Sequence, residues 1–374
     1  MIIVHIVEPF ASGIAVFVKS LVETMPDDTH IVVHGERKEE MTAGEVKKKF
    51  PRQNVRFIRW SNAQRSINPV RDFLALTELY RILRRLKKKN LVDVVHLHSS
   101  KSGLLGRIAC RMASITNVFY TPNGAPFLSA RNPVTKYLYK LIERIGNYVG
   151  GNVVCCSVSE LNEYMKLGIN ASYVNNGITI SNQIQKTRRR DTRDKKFRIV
   201  TSGRVEKQKD PLLFNTIASY FSDMDQIEFI WIGDGSYKGL FTSGNITVTG
   251  WLDNKDVRAY VSSSDIYLST SKYEGLSFAV LEALSVKKPV LLSNCTGNMD
   301  IVKRGINGDL FDTAHEAITK ILQYYNNREM LDVMGHYSEQ ICRKEFNVKE
   351  NYKAYRALYA GTLPHKEKAA WSFG

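Results

Sequence analysis

Short apolar runs recur along the chain, separated by longer stretches whose apolar residues return with helical spacing. In the first half the runs are IIVHIV (2–7), HIVVHG (30–35), NVRFIRW (54–60), DVVHLHS (93–99), NVFYTP (117–122) and NVVCCS (152–157). Residues 13–25, 69–90 and 102–113 carry the 3.6-residue period between them, with Leu76, Leu79, Leu83 and Leu86 on one stripe of the second segment. DVVHLHS is almost continuously apolar, as expected of a parallel strand covered on both faces. Residues 181–196 (SNQIQKTRRRDTRDKK) interrupt the pattern and read as a basic linker. The alternation resumes with FRIVTSG (197–203), EFIWIGDG (228–235), NITVTG (245–250), DIYLSTS (265–271) and PVLLSN (289–294), then closes on helical segments near 314–326, 328–343 and 348–360. Strands alternating with helices predict an α/β protein with two doubly wound, Rossmann-like domains. The expected boundaries are 1–180, a linker at 181–196, 197–345, and 346–374 as a closing helix, able to pack back on the first domain, with a loose tail.

A length of 374 residues with 43% hydrophobic content suits two cores. The net charge of +16 is uneven. Residues 1–180 hold 25 Lys+Arg against 14 Asp+Glu, the linker holds 7 against 2, and residues 197–374 hold 21 of each. The first half therefore suits an anionic partner: nucleic acid, an acidic membrane surface or a phosphorylated acceptor. Five cysteines without C-x-x-C spacing read as reduced thiols. The N-terminal residues lack a basic leader and read as a first strand, and no apolar run reaches the roughly 20 residues of a membrane helix. The expectation is a cytoplasmic protein, peripheral on the inner membrane face if membrane-bound at all.

The sharpest chemical signal is YEGLSFAVLEAL (273–284). Glu274 and Gly275 follow a strand. Ser277 is placed to cap a helix whose first turn contains Phe278, and the free amides of such a start can bind a diphosphate. Glu282 lies eight positions after Glu274, too far along a helix to share a proton with it, which suits two separate hydroxyl-binding carboxylates. The competing reading is a capped core helix with two surface glutamates. In TSGRVEKQKDP (201–211), Gly203 ends a strand, and Arg204 and Lys209 flank a turn where two cations could neutralise a departing diphosphate; the competing reading is a solvated basic turn. IGDG (232–235) places Gly233 at a third glycine-rich strand end, a common turn taken alone. His96 and His98 share one strand face and, with Lys101, are read at a strand end open to ligand, or else as histidines satisfied by backbone carbonyls. Asp223-Met224-Asp225 matches an Asp–x–Asp metal pattern but precedes a strand instead of ending one, so no metal ligand is assigned. YRILRRLKKKN (80–90) is a basic amphipathic segment that suits either an anionic bilayer or an ordinary surface helix.

SGRVEKQKD, IGDG, DIYLSTSKYEGLSFAVLEAL, HLHSSKSGLLGR and YTPNG together resemble glycosyltransferase family 4, over nearly the whole chain. The resemblance implies the GT-B fold, two Rossmann-like domains facing a central cleft, and transfer with retention from a nucleotide-sugar, a UDP-sugar being the expected donor, with no permanent cofactor and no metal. It implies that Arg204 and Lys209 grip the donor diphosphate and that Glu274 binds sugar hydroxyls. The backbone amides of Leu276, Ser277 and Phe278 would contact phosphate and sugar, and Glu282 the ribose. Gly203, Gly233 and Gly275 would let backbone approach the donor. Gly13, flanked by Ser12 and Ile14 where many members carry a Gly-Gly pair, would line the donor phosphate and acceptor side. His98, Lys101 and Asn123 would face sugar or acceptor. Asn123 in Thr121-Pro122-Asn123-Gly124 stands where many members have His, and cannot carry its proton charge. HSSKSG (98–103) is similar to the enzymes that extend polyprenyl-diphosphate-linked saccharides for capsule or O-antigen. The expected partners are therefore a nucleotide-sugar, a lipid-linked saccharide and an anionic membrane surface, with no nucleic acid. Two alternatives stay open: a nucleotide-sugar 2-epimerase of the same architecture, and a non-enzymatic basic protein that binds nucleic acid.

Overall fold

The computed structural model describes residues 1–362 except Pro9, residues 37–41, Arg52, Arg65, Arg131 and residues 181–195. The linker expected at 181–196, all but its last residue, and the tail expected after Pro364 lie outside the described residues. The chain forms two compact units, Met1–Asn176 with the segment from Val348 onward, and Gly177–Asn347.

The first unit runs β1 (Ile2–Val7), α1 (Ser12–Thr24), β2 (Thr29–His34), α2 (Ala43–Lys48), β3 (Val55–Arg59), α3 (Pro69–Lys88), β4 (Val94–His98), α4 (Ser100–Met112), β5 (Val118–Thr121), α5 (Pro126–Ser129), α6 (Pro133–Val149), β6 (Asn152–Cys155), α7 (Val158–Met165) and β7 (Ala171–Tyr173). Its seven strands are parallel, in the order β3-β2-β1-β4-β5-β6-β7. One sheet face carries Val4, Ile6, Val95, Leu97 and Tyr120 and packs under α3, α4 and α7 through Leu79, Leu83, Leu86, Leu105, Ala109 and Tyr164. The leucine stripe of α3 is thus spent on the core, because a parallel sheet buries both faces under helices. Of the two readings of residues 80–90, the ordinary surface helix holds for the apolar side; Arg81, Arg84, Arg85, Lys87 and Lys88 remain exposed.

The opposite face of the same sheet carries His5, His30, His96 and His98, all buried. Alternation puts them there together, since His5 lies beside His96 in register and His98 is two residues on. Phe17 of α1 stands edge-on to His96 and His98. The cover is completed from the far end of the chain by α13 (Val348–Tyr359), whose Tyr359 hydroxyl bonds His96 Nδ1 at 2.6 Å.

The second unit contains β8 (Phe197–Ser202), α8 (Pro211–Ser219), β9 (Ile227–Ile232), β10 (Ile246–Val248), α9 (Asn254–Ser263), β11 (Ile266–Ser269), α10 (Phe278–Ser285), β12 (Val290–Ser293), β13 (Gly308–Phe311), α11 (Ala314–Asn326) and α12 (Glu329–Glu345). Its six parallel strands are ordered β10-β9-β8-β11-β12-β13. Both sheets share the doubly wound order in which the chain starts near the middle and winds outward both ways, leaving a switch point beside the first strand. The second core gathers Ile199, Phe214, Phe229, Trp231, Leu268, Leu291 and Ile321. All five cysteines are free, and burial pushes the thiols of Cys110, Cys295 and Cys342 up to about 12.

Candidate functional site

In the second unit the ends of β8, β9 and β11 build one constellation. Gly203 and Gly233 follow β8 and β9 with φ of +139° and +138°, conformations that favour glycine. A Cβ on Gly233 would collide with the Gly203 carbonyl oxygen. The two strand-end loops also exchange hydrogen bonds, with Gly203 N–H donating to Ile232 O and Val205 N–H to Asp234 O, each at 2.9 Å. The glycines let these backbones interlock, and Arg204 is carried on the resulting ridge.

Past Arg204 a short 3₁₀ turn, Lys207–Lys209, delivers Lys209 to Glu274, with Nζ 2.7 Å from Oε1. Glu274 lies between β11 and α10 and is 7% exposed. Gln208 braces the same loop, donating to the Tyr273 carbonyl at 3.1 Å and to Glu274 Oε2 at 3.4 Å. Thr270 Oγ1 donates to the Lys209 carbonyl at 2.7 Å, and Lys272 pairs with Asp210 at 2.5 Å. Behind the loop, Glu274 N–H donates to Thr296 O at 3.0 Å, and Gly297, with φ +84°, packs so closely on Glu274 and Gly275 that a Cβ would lie 2.8 Å from Gly275 O. Burial works against the Lys209 ammonium, but Glu274 and Tyr267 outweigh it and hold its pKa above the ordinary lysine value. Arg204 acts on Lys209 in the opposite sense, which places the two cations within each other's field.

Helix α10 starts directly after this loop. Ser277 occupies the N-cap position with extended backbone, yet its side chain caps no amide, unlike the expected Ser277 cap. The first turn at Phe278 therefore has no side-chain cap, the condition in which a helix start binds an anion best. Leu276 and Ser277 are buried, while Glu282, the fifth residue of α10, is exposed. Arg204, Lys209, Glu274, Gly275 and the start of α10 thus converge, two cations and a helix terminus around one carboxylate. Such a set can hold a diphosphate and hydrogen-bond a hydroxylated ligand. Sequence reading found the ends of this network and missed Gln208, Thr270, the Lys272–Asp210 pair and the Thr296-Gly297 turn. Their residue types carry no pattern, because their roles come from contacts between separate loops. Asp223 and Asp225 are exposed in a turn before β9.

The remaining expected residues belong to the first unit. Gly13 is exposed in the first turn of α1, after Ser12 with φ +51°. Asn123 has φ +55° and is half-buried; its side chain donates to Thr121 O at 3.2 Å and accepts from the Cys156 thiol at 3.4 Å. The Asn123-Gly124 turn is anchored by Glu160 of α7, which accepts from Gly124 N–H at 2.9 Å and Cys156 N–H at 2.8 Å. Burial raises the Glu160 carboxyl to about 7, against the pull of those amides. Ser157 caps α7 by accepting from Glu160 N–H at 3.2 Å, so the helix start that holds Glu160 in place also supplies the anchor.

His98 does not open to ligand as expected. It is fully buried, with Nε2 3.1 Å from His5 Nδ1, because α1 and α13 cover that face. Lys101 is committed to Asp72 at 2.6 Å and to the Ser66 carbonyl. Ring nitrogens of His5, His96 and His98 lie within 4.8 Å of one another, a spacing a metal ion could bridge. His5 and His96 instead use both ring nitrogens on neighbours: His98 and His30 for the first, Tyr359 and Thr121 for the second. Burial holds all three rings well below the usual histidine pKa; His30, His5 and His98 form one hydrogen-bonded chain, and His96 packs beside it on partners of its own.

Comparison with known proteins follows the same division. Residues 11–182 match the family model Glycosyltransferase Family 4, and residues 182–341 match Glycosyl transferases group 1. A protein of Escherichia coli named UDP-Gal:alpha-D-GlcNAc-diphosphoundecaprenol alpha-1,3-galactosyltransferase is 27% identical over 330 residues, spanning 81% of this chain and 83% of that protein. Sucrose-phosphate synthase from Thermosynechococcus elongatus shares the fold with a TM-score of 0.78 at 14% identity, over 96% of this chain and 100% of that one. Anabaena HepE in complex with UDP-glucose gives 0.72 at 15% identity, over 96% and 99%. At these identities the structural likeness establishes the fold, the pair of Rossmann-like domains called GT-B. Among the described residues no helix is long and apolar enough to cross a membrane.

Proposed function

Since this chain belongs to the glycosyltransferases of family 4 and group 1, we propose that it moves a hexosyl or N-acetylhexosaminyl unit from a UDP-sugar, with retention and without a metal ion, to a saccharide carried on a polyprenyl diphosphate. The site of synthesis is the cytoplasmic face of a membrane, and the product is a surface polysaccharide of the capsule or O-antigen kind. The observation that carries the donor half is the Lys209–Glu274 pair at 2.7 Å beside the start of α10. The E. coli relative, named for a UDP-sugar donor and a diphosphoundecaprenol-linked acceptor, supports the acceptor half.

In this reading Arg204, Lys209 and the first-turn amides near Leu276, Ser277 and Phe278 take the diphosphate. Lys209 is shared between phosphate and Glu274, and Glu274 turns its free lone pairs to the sugar hydroxyls. The exposed Glu282 binds the ribose, and Gly203, Gly233 and Gly275 keep the approach clear. Within the first unit, Gly13 and Asn123 are the proposed ligand-contacting residues. His98 and Lys101, already bonded within the protein, support the acceptor side without touching it. The bond from the anomeric carbon to the β-phosphate oxygen breaks as the acceptor oxygen bonds to the same face. The acceptor proton passes to the departing phosphate, whose growing charge the two cations and the helix start stabilise.

The test is a thermal-shift panel of nucleotides and nucleotide-sugars, followed by transfer to a polyprenyl-diphosphate saccharide read as UDP release. UDP and one UDP-sugar are expected to raise the melting temperature. Glu274→Ala is expected to slow transfer by roughly a hundredfold. The donor alone stays intact, which separates transfer from epimerisation. Transfer by Glu274→Ala at the parent rate would refute the site.

A further inference from the structure

Helix α6 (Pro133–Val149) leaves an apolar ridge uncovered. Val134, Tyr137, Leu138, Leu141, Ile145 and Tyr148 are 66, 64, 50, 39, 49 and 86% exposed. Their spacing confines them to an arc of about 100° and a length of about 20 Å on an ideal helix. Single exposed apolar residues are ordinary, but a continuous ridge on one helix marks a contact surface. Lys136, Lys140 and Arg144, four residues apart, line one flank of the ridge. The helix's acidic residue, Glu143, is buried against Arg107 and Tyr120, so α6 exposes cations and no acid.

We infer that α6 lies in the surface of an anionic phospholipid bilayer, its apolar ridge at the acyl boundary and its lysine–arginine row among the headgroups. The cation row is complementary to acidic lipid. Two copies of the chain pairing ridge to ridge with their helices antiparallel would set the cation rows side by side with no exposed acid on α6 to balance them. Tyr137 and Tyr148 suit the interface, where an apolar ring keeps a wet hydroxyl. The depth required is that of an interfacial helix, not a span. The element differs from the basic segment 80–90, whose leucines are already in the core. The inference deepens the proposed function and rests on it, since a lipid-linked acceptor must be met at a bilayer.

The test floats the full chain with phosphatidylcholine vesicles, with and without phosphatidylglycerol. The chain should float with the phosphatidylglycerol vesicles. Leu138→Glu/Leu141→Glu/Ile145→Glu should lower partitioning by roughly a hundredfold. Lys136→Gln/Lys140→Gln/Arg144→Gln should remove the preference for phosphatidylglycerol and its salt dependence. All three positions of the first variant are exposed, so its melting temperature and its response to UDP should match the parent. No flotation by the parent, or flotation of the first variant equal to the parent's, overturns the inference. So does a parent dimer that the first variant dissociates while flotation is unchanged, which would assign the ridge to a second copy. Transfer to detergent-dispersed acceptor is measured alongside: its loss with flotation intact defeats the proposed function and leaves the surface standing.

Discussion

Two cation–glutamate pairs sit in this molecule in opposite surroundings. Arg107–Glu143 in the first unit, at 3.3 Å, is sealed, with side chains 2% and 3% exposed. Tyr120 donates to the same carboxylate at 3.0 Å, its ring lies 4.1 Å under the guanidinium, and Gly146 makes room, since a Cβ there would lie 2.7 Å from Arg107 Nη1. Lys209–Glu274 in the second unit, at 2.7 Å, keeps 21% and 9% exposure and sits on loops instead of helices. The first pair links α4 to α6 and is closed off from solvent. The second has a second cation nearby and an uncapped helix start beside it. The same chemistry is structural where helices close over it, and available for binding where it lies at strand ends.

The sharpest break in this contrast should come from Arg107→Leu. It strands a buried carboxylate and should cost about 3–5 kcal/mol of stability in denaturant unfolding, while the remaining folded protein binds UDP as before. Adding Glu143→Leu should restore most of the loss, because the uncompensated charge is then gone. Loss of UDP binding without loss of stability would erase the distinction between the pairs.

The complementary change, Lys209→Ala, should cost less stability than Arg107→Leu, since Gln208 still donates to the Glu274 carboxylate and solvent can reach the vacated lysine site. Its transfer rate should nevertheless fall by roughly 10²–10³-fold. A large stability loss would make this pair structural as well.

A smaller, graded effect should follow pH. His5, His96 and His98 have folded pKa values well below the ordinary 6.5, chiefly through burial, so the unfolded chain binds protons that the folded chain refuses. Their contribution is intact above 6.5 and is lost as pH falls below it. Glu160, raised to about 7 from 4.5, acts oppositely and weakens the fold as pH rises through that interval. His30 and His34 shift in the same sense as these rings, and the five lowered histidines outnumber the three raised carboxyls, Glu143, Glu160 and Glu282. The melting temperature should therefore drop on acidification below about 6.5, with the first unit, which α13 joins to the histidine face, opening first. An unchanged melting temperature there would show that the histidine chain is not closed.

Much of the fold could be read directly. The strands at 2–7, 93–99, 197–203 and 265–271 and the closing helices all form within a residue or a few of their expected ends, because period-two and period-3.6 patterns are local. Strands β7 and β13, only three and four residues long, escaped notice, as did α6. Of the site, the glycines, Arg204, Lys209 and Glu274 were visible as strand-end chemistry. Their partners were not, because Gln208–Tyr273 and Glu274–Thr296 join loops that meet only after the sheet has formed.

What the amino acids settled alone is the alternation of strands and helices in two halves and the kinds of groups at the strand ends, since propensity and side-chain type act over a few residues. Folding decided which side each group faces. It brought α13 back across the whole chain to close over His96 and His98, it consumed the leucines of α3, and it turned part of the apolar side of α6 outward. Burial is a property of neighbours distant in sequence, and no local pattern specifies them.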